Sequence, residues 1–571
     1  MKRLFININE GYHIMKKTCF LTLLIFFISS LQPANACTNL IVGKKASADG
    51  SVFITYADDL YGKYGSLCHY GAGVYPVGDK LKIYQWSGEH IYLGEIPQVE
   101  KTYNVIGNIN EHQVAIGETT FTGRRELKDT TAILDYGSLI YIALQRAKTA
   151  REAIEVMTSL VKEYGYYSTG ESFSIADPNE AWIMEMIGKG PGNKGAVWVA
   201  VRIPDDCIAA HANQSRIHQF DRNDKKNCLY APDVISFARE KGYFTGKDKD
   251  FSFAKAYSPQ TFSRLRACES RVWSFYNRFT DQGEKWLPYI LGQDHTPLPL
   301  YVKPNRLISL SDLQQMMRDH FEGTPLDPTK DLGGGAYHSP YRLTNSFTVD
   351  SVDYFCERPI STQQTAWSFV AQLRSYLPDP IGGIFWFATD DANMSVYTPV
   401  YCATDRVPDC YQEIEGAADR NTFSFNSSFW VFNWVANQVY PWYDQKINDV
   451  RVTQQMLERT FLQSQPGVEQ VAQQLYAENP KEAIAYLTRY TQQTAQTALE
   501  TWRKLGEYLI VKYADGAIRQ MKPSETVGSH DNEPKDKFYS RPGFTKEYKR
   551  RLAKELVEQY GDKYKKYAVG E

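Results

Sequence analysis

Ala34-Asn35-Ala36-Cys37-Thr38-Asn39-Leu40-Ile41-Val42-Gly43 is the stretch from which the rest of the chain is read. Its second half is apolar and β-prone. Lys44 to Ser51 follows and contains Asp49-Gly50, a strong hairpin-turn signal. Ser51-Val52-Phe53-Ile54-Thr55-Tyr56 supplies the return strand, which ends in Asp58-Asp59. Such a hairpin brings the end of its second strand back toward Cys37, so Asp58 or Asp59 gains a route to that residue.

The first half of the stretch reads as a processing junction. Upstream lie Met15-Lys16-Lys17, the apolar run Cys19 to Leu31, Pro33 and the small-x-small sequence Ala34-Asn35-Ala36. This is the n-region, h-region and cleavage site of a secretory signal peptide. The run falls short of the ~20 apolar residues of a membrane span. The expectation is therefore a signal peptide over residues 1–36, a mature chain beginning at Cys37, and an exported protein, periplasmic or extracellular. Met1 to Ile14 is polar and mixed, which does not suit the front of an n-region and points to Met15 as the start.

A cysteine exposed by processing has two functional readings. It can be an N-terminal nucleophile whose own α-amino group is its base, or a lipidated anchor. A lipobox usually has Leu three residues before the cysteine, where this chain has Ala34. The chemistry favours the nucleophile: a thiol of pKa ~8.5 lies beside an α-amine of pKa ~7.7–8.0, poised as a general base should be.

About 535 residues remain after Ala36, enough for one large domain with insertions or for two to three ordinary ones. A formal charge of −2 leaves no nucleic-acid footprint. Aromatic residues make up 14 % of the chain, which marks a folding rather than a disordered sequence. No apolar run after Leu31 is long enough to span a bilayer. Eight cysteines follow the junction: Cys37, Cys68, Cys207, Cys228, Cys268, Cys356, Cys402 and Cys410. If Cys37 is free, at least one more is unpaired; Cys402 and Cys410 are the easiest local pair. No CxxC or HxxxH spacing suggests zinc, and no cofactor is expected.

Down the chain, Tyr103 to Asn110 and Gln113 to Thr120 read as strands. Asp135 to Ala147 reads as a helix, and a second follows Thr149, with Glu152 completing a capping box. Ser172 to Ala176 and Ala181 to Ile187 are strands around the turn Asp177-Pro178-Asn179-Glu180. Ala196 to Arg202 and Cys207 to His211 read as another pair. Gln260 to Asn277 and Ser311 to Phe321 read as helices, and Gly383 to Ala388 with Met394 to Val400 as a hairpin. From Gln454 onward the chain is polar and helical. Strands, then helices, then strands favour α+β over a doubly wound parallel sheet. The glycine-rich Asp331 to Tyr341 lacks the Lys and Ser/Thr of a P-loop and reads as a plain loop.

A second site candidate is His211-Ala212-Asn213-Gln214, at a strand end. The Asn213 amide can donate to a developing oxyanion, although an Asn there is usually a turn residue and His211 reads as structural. Together with Cys37 to Ser51, Gly117-Glu118-Thr119-Thr120, Asp177-Pro-Asn-Glu-Ala-Trp182, Glu357-Arg-Pro-Ile-Ser361, Trp367-Ser-Phe-Val370 and Leu377-Pro-Asp-Pro-Ile-Gly-Gly383, these residues resemble the dipeptidase A family. That family is the secernin-related group of cysteine peptidases among the N-terminal nucleophile (Ntn) hydrolases. The resemblance implies a four-layer αββα sandwich, hydrolysis of dipeptides, and no metal. It makes Cys37 the nucleophile, Asn213 the oxyanion donor and Asp58 the partner of the α-amine. Related enzymes place an arginine three residues before that aspartate, where this chain has Thr55. The charge supporting the thiolate then comes from elsewhere, with Arg266 or Arg271 as candidates. The domain reading is a catalytic domain over 37–440 and a helical C-terminal region over 441–571. Two other functions stay open: an amidase or acyltransferase acting on N-acyl amides on the same scaffold, and a lipid-anchored binding protein acylated at Cys37.

Overall fold

The computed structural model describes residues 36–86, 88–342, 346–521 and 534–565. The signal-peptide expectation over residues 1–36 falls, but for Ala36, outside them. Two large antiparallel sheets dominate. The first has seven strands in the order Tyr301–Val302, Ile208–His211, Ala36–Val42, Val52–Asp59, Thr365–Leu373, Ile384–Thr389 and Thr398–Tyr401. The second has eight: Cys228–Tyr230, Ala196–Ile203, Ala181–Gly188, Gly170–Ala176, Ala115–Thr122, Ile109–Asn110, Val105–Ile106 and His69–Tyr70.

The hairpin around Asp49-Gly50 forms as the sequence predicts. Gly50 takes a φ of +78°, which suits a residue without Cβ, and Asp49 Oδ1 accepts from the Ser51 N–H. Its register pairs Cys37 with Asp58 and Ile41 with Ile54. Strand alternation then fixes the faces. Cys37, Asn39, Tyr56 and Asp58 look toward the second sheet; Thr38 and Asp59 look away.

One pairing departs from the sequence reading. Ala196–Ile203 and Ile208–His211 do not form a hairpin together. The first pairs with Ala181–Gly188 in the eight-stranded sheet, the second with Ala36–Val42 in the other, Asn39 facing His211. The short turn Pro204-Asp205-Asp206 carries the chain from sheet to sheet, and Asp205 O accepts from the Lys45 and Ala46 N–H groups of the first hairpin. This crossover puts the residues after His211 beside Cys37.

Helices cover the outer faces. Tyr136–Arg146 and Ala150–Tyr164 pack on the eight-stranded sheet, burying Leu139, Ile140, Leu144, Ile154, Met157 and Val161 with Ile175, Trp182 and Met184. Asp135 caps the first through the Ser138 N–H, and Thr149 caps the second through the Glu152 N–H. The Glu152 carboxylate returns to Lys148 N–H, one residue before the expected position. On the seven-stranded sheet lie Ser270–Phe279, Leu310–Met316 and Ser428–Val439. The long helices Tyr443–Glu478 and Pro480–Lys512 pack together and against Thr398–Tyr401. Buried ion pairs Arg318–Glu458 and Arg374–Glu469 tie the first of them to the rest of the structure. The C-terminal region is helical as expected, with a small strand pair, Ile518–Met521 and Pro534–Ser540, before the Lys546–Tyr560 helix. Cys402 and Cys410 are not joined; Cys402 Sγ lies 3.2 Å from the Asp379 carbonyl oxygen. Among the described residues no helix is long and apolar enough to cross a membrane.

The sheets meet closely where Cys37 lies. Asn39 Nδ2 donates across the interface to the Glu118 carbonyl at 2.6 Å. A Cβ on Gly117 would lie 2.3 Å from Asn39 Oδ1 and 3.3 Å from Tyr56 Cβ. Gly117→Ala is therefore expected to force the sheets apart and to lower stability by ~1–3 kcal/mol, as overpacking does. Thermal denaturation checks this; an unchanged Tm would show that the interface yields at no cost.

Candidate functional site

Cys37 is the second residue of the Ala36–Val42 strand, 4 % exposed, with its side chain between the sheets. Its main-chain N–H donates to Asn213 Oδ1 at 2.9 Å. Its Sγ lies 3.7 Å from the Tyr56 hydroxyl and 3.8 Å from Glu118 Oε1, and the Tyr56 hydroxyl donates to that same oxygen at 2.6 Å. The three side chains come from both sheets.

Asn213 sits just beyond the Ile208–His211 strand at φ +63°, a left-handed conformation that Asn tolerates better than most residues. Two donors converge on its Oδ1: the Cys37 N–H and an Arg271 N–H at 3.0 Å. Its Nδ2 donates to the Thr120 carbonyl at 3.0 Å. This orients the amide with one N–H left over. The segment after Asn213 is fixed by Glu185 of the second sheet, which accepts from the Arg216 and Ile217 N–H groups and the Ser215 hydroxyl. His211 lies between the Thr119 and Ser174 hydroxyls at 2.7 Å each. Burial, with Arg216 nearby, pushes it down to about 3, so it is a neutral structural imidazole.

The two candidate arginines separate. Arg271, on Ser270–Phe279, spends all five N–H donors on oxygens. One goes to Ala267 O within its helix. The others go to Cys37 O at 2.7 Å, Thr38 Oγ1 at 2.8 Å, Ala212 O at 3.1 Å and Asn213 Oδ1. Arg266 sits in the π-helical turn Leu265–Glu269 and forms a bidentate ion pair with Glu357. Five residues apart on a helical segment, the two cannot face the same point.

The two adjacent aspartates also separate, because neighbouring strand residues face opposite sides. Asp58, opposite Cys37 in the register and on the same face, pairs with Lys63. Asp59 pairs with Arg358 at 2.5 Å and accepts from Thr365 Oγ1 at 2.6 Å. Glu357 and Arg358 of the Glu357–Ser361 motif thus serve Arg266 and Asp59. The Asp177–Trp182 motif is a scaffold: Asp177 accepts from the Asn179 and Glu180 N–H groups and from the Ala150 N–H at a helix start.

Sequence reasoning passed over Tyr56, Lys63, Glu118 and Glu171. Glu118 lay in a quoted motif, and a lone carboxylate within a buried strand was the available signal. Glu118 and Glu171 are diagonal neighbours on one face of adjacent strands, and Glu171 Oε1 accepts from Thr120 Oγ1 at 2.8 Å. Burial pushes both carboxyls up; Glu118 pushes Glu171 up further, while a hydrogen bond from Glu171 offsets part of the rise at Glu118, so the proton of the pair rests on Glu171. The Cys37 thiol is pushed well up by burial and then by Glu118, Asp58 and Asp59, so the protonated thiol is the resting form. The arrangement is a buried thiol, a main-chain nitrogen held by an amide oxygen, and a cross-sheet acid pair. It suits nucleophilic attack in which a neighbouring base takes the thiol proton as the bond forms.

The chain is similar to curated proteins over most of its length. It is 27 % identical to "Probable dipeptidase" of Salmonella dublin over 386 residues, 64 % of this chain and 81 % of that one. It is 25 % identical to "Probable dipeptidase" of Latilactobacillus sakei over 478 residues, 81 % and 92 % of the two chains. With "Dipeptidase A" of Lactobacillus helveticus it shares 26 % identity over 426 residues, 69 % and 80 %. The model of peptidase family C69 matches residues 36–70 and 83–456, a span that begins one residue before the buried thiol and takes in Asn213, Glu118 and Arg271. On that match the chain belongs to peptidase family C69.

Proposed function

We propose that this protein is an exported cysteine dipeptidase with Cys37 as its N-terminal nucleophile. Its two sheets and flanking helices are then the αββα sandwich of the Ntn hydrolases. The observation that carries the reading is the Cys37 nitrogen on Asn213 Oδ1 at 2.9 Å, in a chain of a peptidase family with relatives named as dipeptidases. Export rests on the signal-like segment ahead of Ala36.

Removal of the residues before Cys37 turns its amide N–H into an α-amine on the same acceptor. As Sγ attacks the carbonyl carbon of the substrate's first residue, the amine takes the thiol proton. Asp58, opposite Cys37, favours the ammonium so formed. The free N–H of Asn213 and a backbone N–H hold the oxyanion. The ammonium then protonates the leaving nitrogen, the C–N bond breaks, and a free amino acid departs from a Cys37 thioester. Water, losing a proton to the same amine, cleaves the thioester and restores the thiol. Arg271 acts through others, fixing the Cys37 carbonyl and the Asn213 amide oxygen.

Cys37→Ala is expected to abolish dipeptide hydrolysis, and Cys37→Ser to lower kcat by ~10³-fold or more with an unchanged Tm. Intact mass of the active protein should start at Cys37 with a free amine, and one iodoacetamide adduct should end turnover. Full turnover by Cys37→Ala would remove the proposal, and a lipid-sized mass increment would favour the anchored binding protein.

Arg271→Lys keeps the charge but cannot span four separate acceptors. With the nucleophile and Asn213 no longer held together, kcat is expected to fall on the order of 10²-fold, as small misplacements of reacting groups do. Steady-state kinetics alongside a melt checks this; wild-type kcat in a folded Arg271→Lys variant would show that the bridge is not needed.

A further inference from the structure

The carboxylates around Cys37 are unequally neutralised. Asp58 has Lys63 and Asp59 has Arg358. Glu118 and Glu171, 2 % and 1 % exposed, have no Lys, Arg or His within ion-pair distance among the described residues. Glu118 Oε2 and Glu171 Oε2 have no protein donor either, and the two carboxyls are left to share a proton. One shared proton leaves the pair with one negative charge buried against the thiol. A buried charge without a partner is costly, and a cation delivered to this point is held strongly.

Distances say which cation fits. In a dipeptide the α-nitrogen lies about 2.5 Å from the carbonyl carbon under attack, from ordinary backbone dimensions. The carbonyl carbon approaches a nucleophile to about 3–3.5 Å before reaction. The α-nitrogen then lies within about 6 Å of Sγ, so an acyl group turned toward Glu118 Oε1, itself 3.8 Å from Sγ, brings its α-nitrogen into hydrogen-bond reach of that oxygen. Tyr56, donating to that oxygen, fixes it in place, and its ring is in turn held edge-on to Trp367 with centroids 5.0 Å apart.

We propose that the Glu118–Glu171 pair is the subsite for the substrate's free α-ammonium group, with Glu118 Oε1 as the contacting atom, so that the thiol accepts acyl groups carrying an α-ammonium and discriminates against those that lack it. This rests on the dipeptidase reading of Cys37 and deepens it. It is a specificity contact, separate from the α-amine of Cys37 itself, which is held on Asn213 Oδ1.

The test compares alanyl-alanine with propionyl-alanine, which has the same scissile bond and carbon skeleton but a hydrogen in place of the amine. Wild-type kcat/KM is expected to favour alanyl-alanine by on the order of a hundredfold or more, the penalty for leaving a buried polar group unpaired. In Glu118→Gln the ratio should collapse to below about tenfold, through KM for alanyl-alanine more than kcat, consistent with loss of one charge-assisted hydrogen bond. Glu118→Asp, with the charge kept, should restore part of the ratio. A wild-type enzyme that cleaves both substrates equally overturns the subsite while leaving the cysteine hydrolase in place, and needs no folded variant. A Glu118→Gln variant that keeps the full ratio, or loses the same factor on both, overturns it too. Failure to cleave either substrate by protein whose mass starts at Cys37 would overturn the dipeptidase reading and the subsite with it.

Discussion

The guanidinium of Arg271 is the constraint on which the site depends. Cys37 and Asn213 belong to chain segments far apart in sequence, and the ladder between their strands runs only from Asn39 to Val42. Beyond it, main-chain pairing no longer fixes the two ends. Arg271 spans that gap with bonds to Cys37 O, Thr38 Oγ1, Ala212 O and Asn213 Oδ1. It is buried, and no carboxylate is within ion-pair distance among the described residues. Burial and the nearby Arg358 lower its pKa to about 10, which still leaves it charged at neutral pH. A planar group with five fixed donors meets this geometry, where an ammonium with three donors on a flexible stem does not. The π-helical turn just before Ser270–Phe279 sets the rotation of that helix and so the aim of Arg271.

A second constraint comes from the other sheet. Glu118 reaches the thiol only because the sheets approach closely at Gly117, with Asn39 bonded across the gap. The thiol therefore sits in a field of carboxylates, which disfavours a resting thiolate. An enzyme with a preformed thiolate would need net positive charge at Sγ. Here the Arg271 bonds go to oxygens of the main chain, of Thr38 and of Asn213, while Lys63 and Arg358 are taken up by Asp58 and Asp59. The field suits chemistry in which the thiol proton leaves only as the bond to carbon forms.

Local signals in the sequence carried the local structure. Asp49-Gly50 marked the first hairpin, Asp135 and Thr149 marked two helix starts, and the small-x-small sequence drew attention to Cys37, the residue around which the candidate site is built. Information that depends on register was out of reach. Asp58 and Asp59 are equivalent as sequence, and only the pairing of Cys37 with Asp58 tells which one shares its face. Arg266 and Arg271 were likewise equal candidates until the helix direction sent one to Glu357 and the other to Cys37 O. Pro204-Asp205-Asp206 looks like an ordinary hairpin turn, yet the strands on either side enter different sheets, because the pairing energy comes from partners remote in sequence. Glu118 was hidden for a related reason: in a strand, alternation alone does not say whether a carboxylate faces water or a second sheet.

The motifs that carried the family resemblance divide by what they hold. Asp177 anchors a turn and a helix start, Gly382 and Gly383 lie where a Cβ would strike Gln113 and Cys402, and Arg358 neutralises Asp59. These fix the positions of the sheets. Cys37, Glu118 and Asn213 come from three separate motifs and meet within hydrogen-bond distance of one another's neighbours. Asn213 bonds to Thr120, two residues from Glu118, and to Cys37 N, whose side chain touches Glu118. A shift of either sheet along its strands would break both bonds together. The scaffold motifs and the site residues are therefore one requirement: the register between two sheets has to be held to a fraction of a residue for the thiol, the amide and the acid pair to coincide.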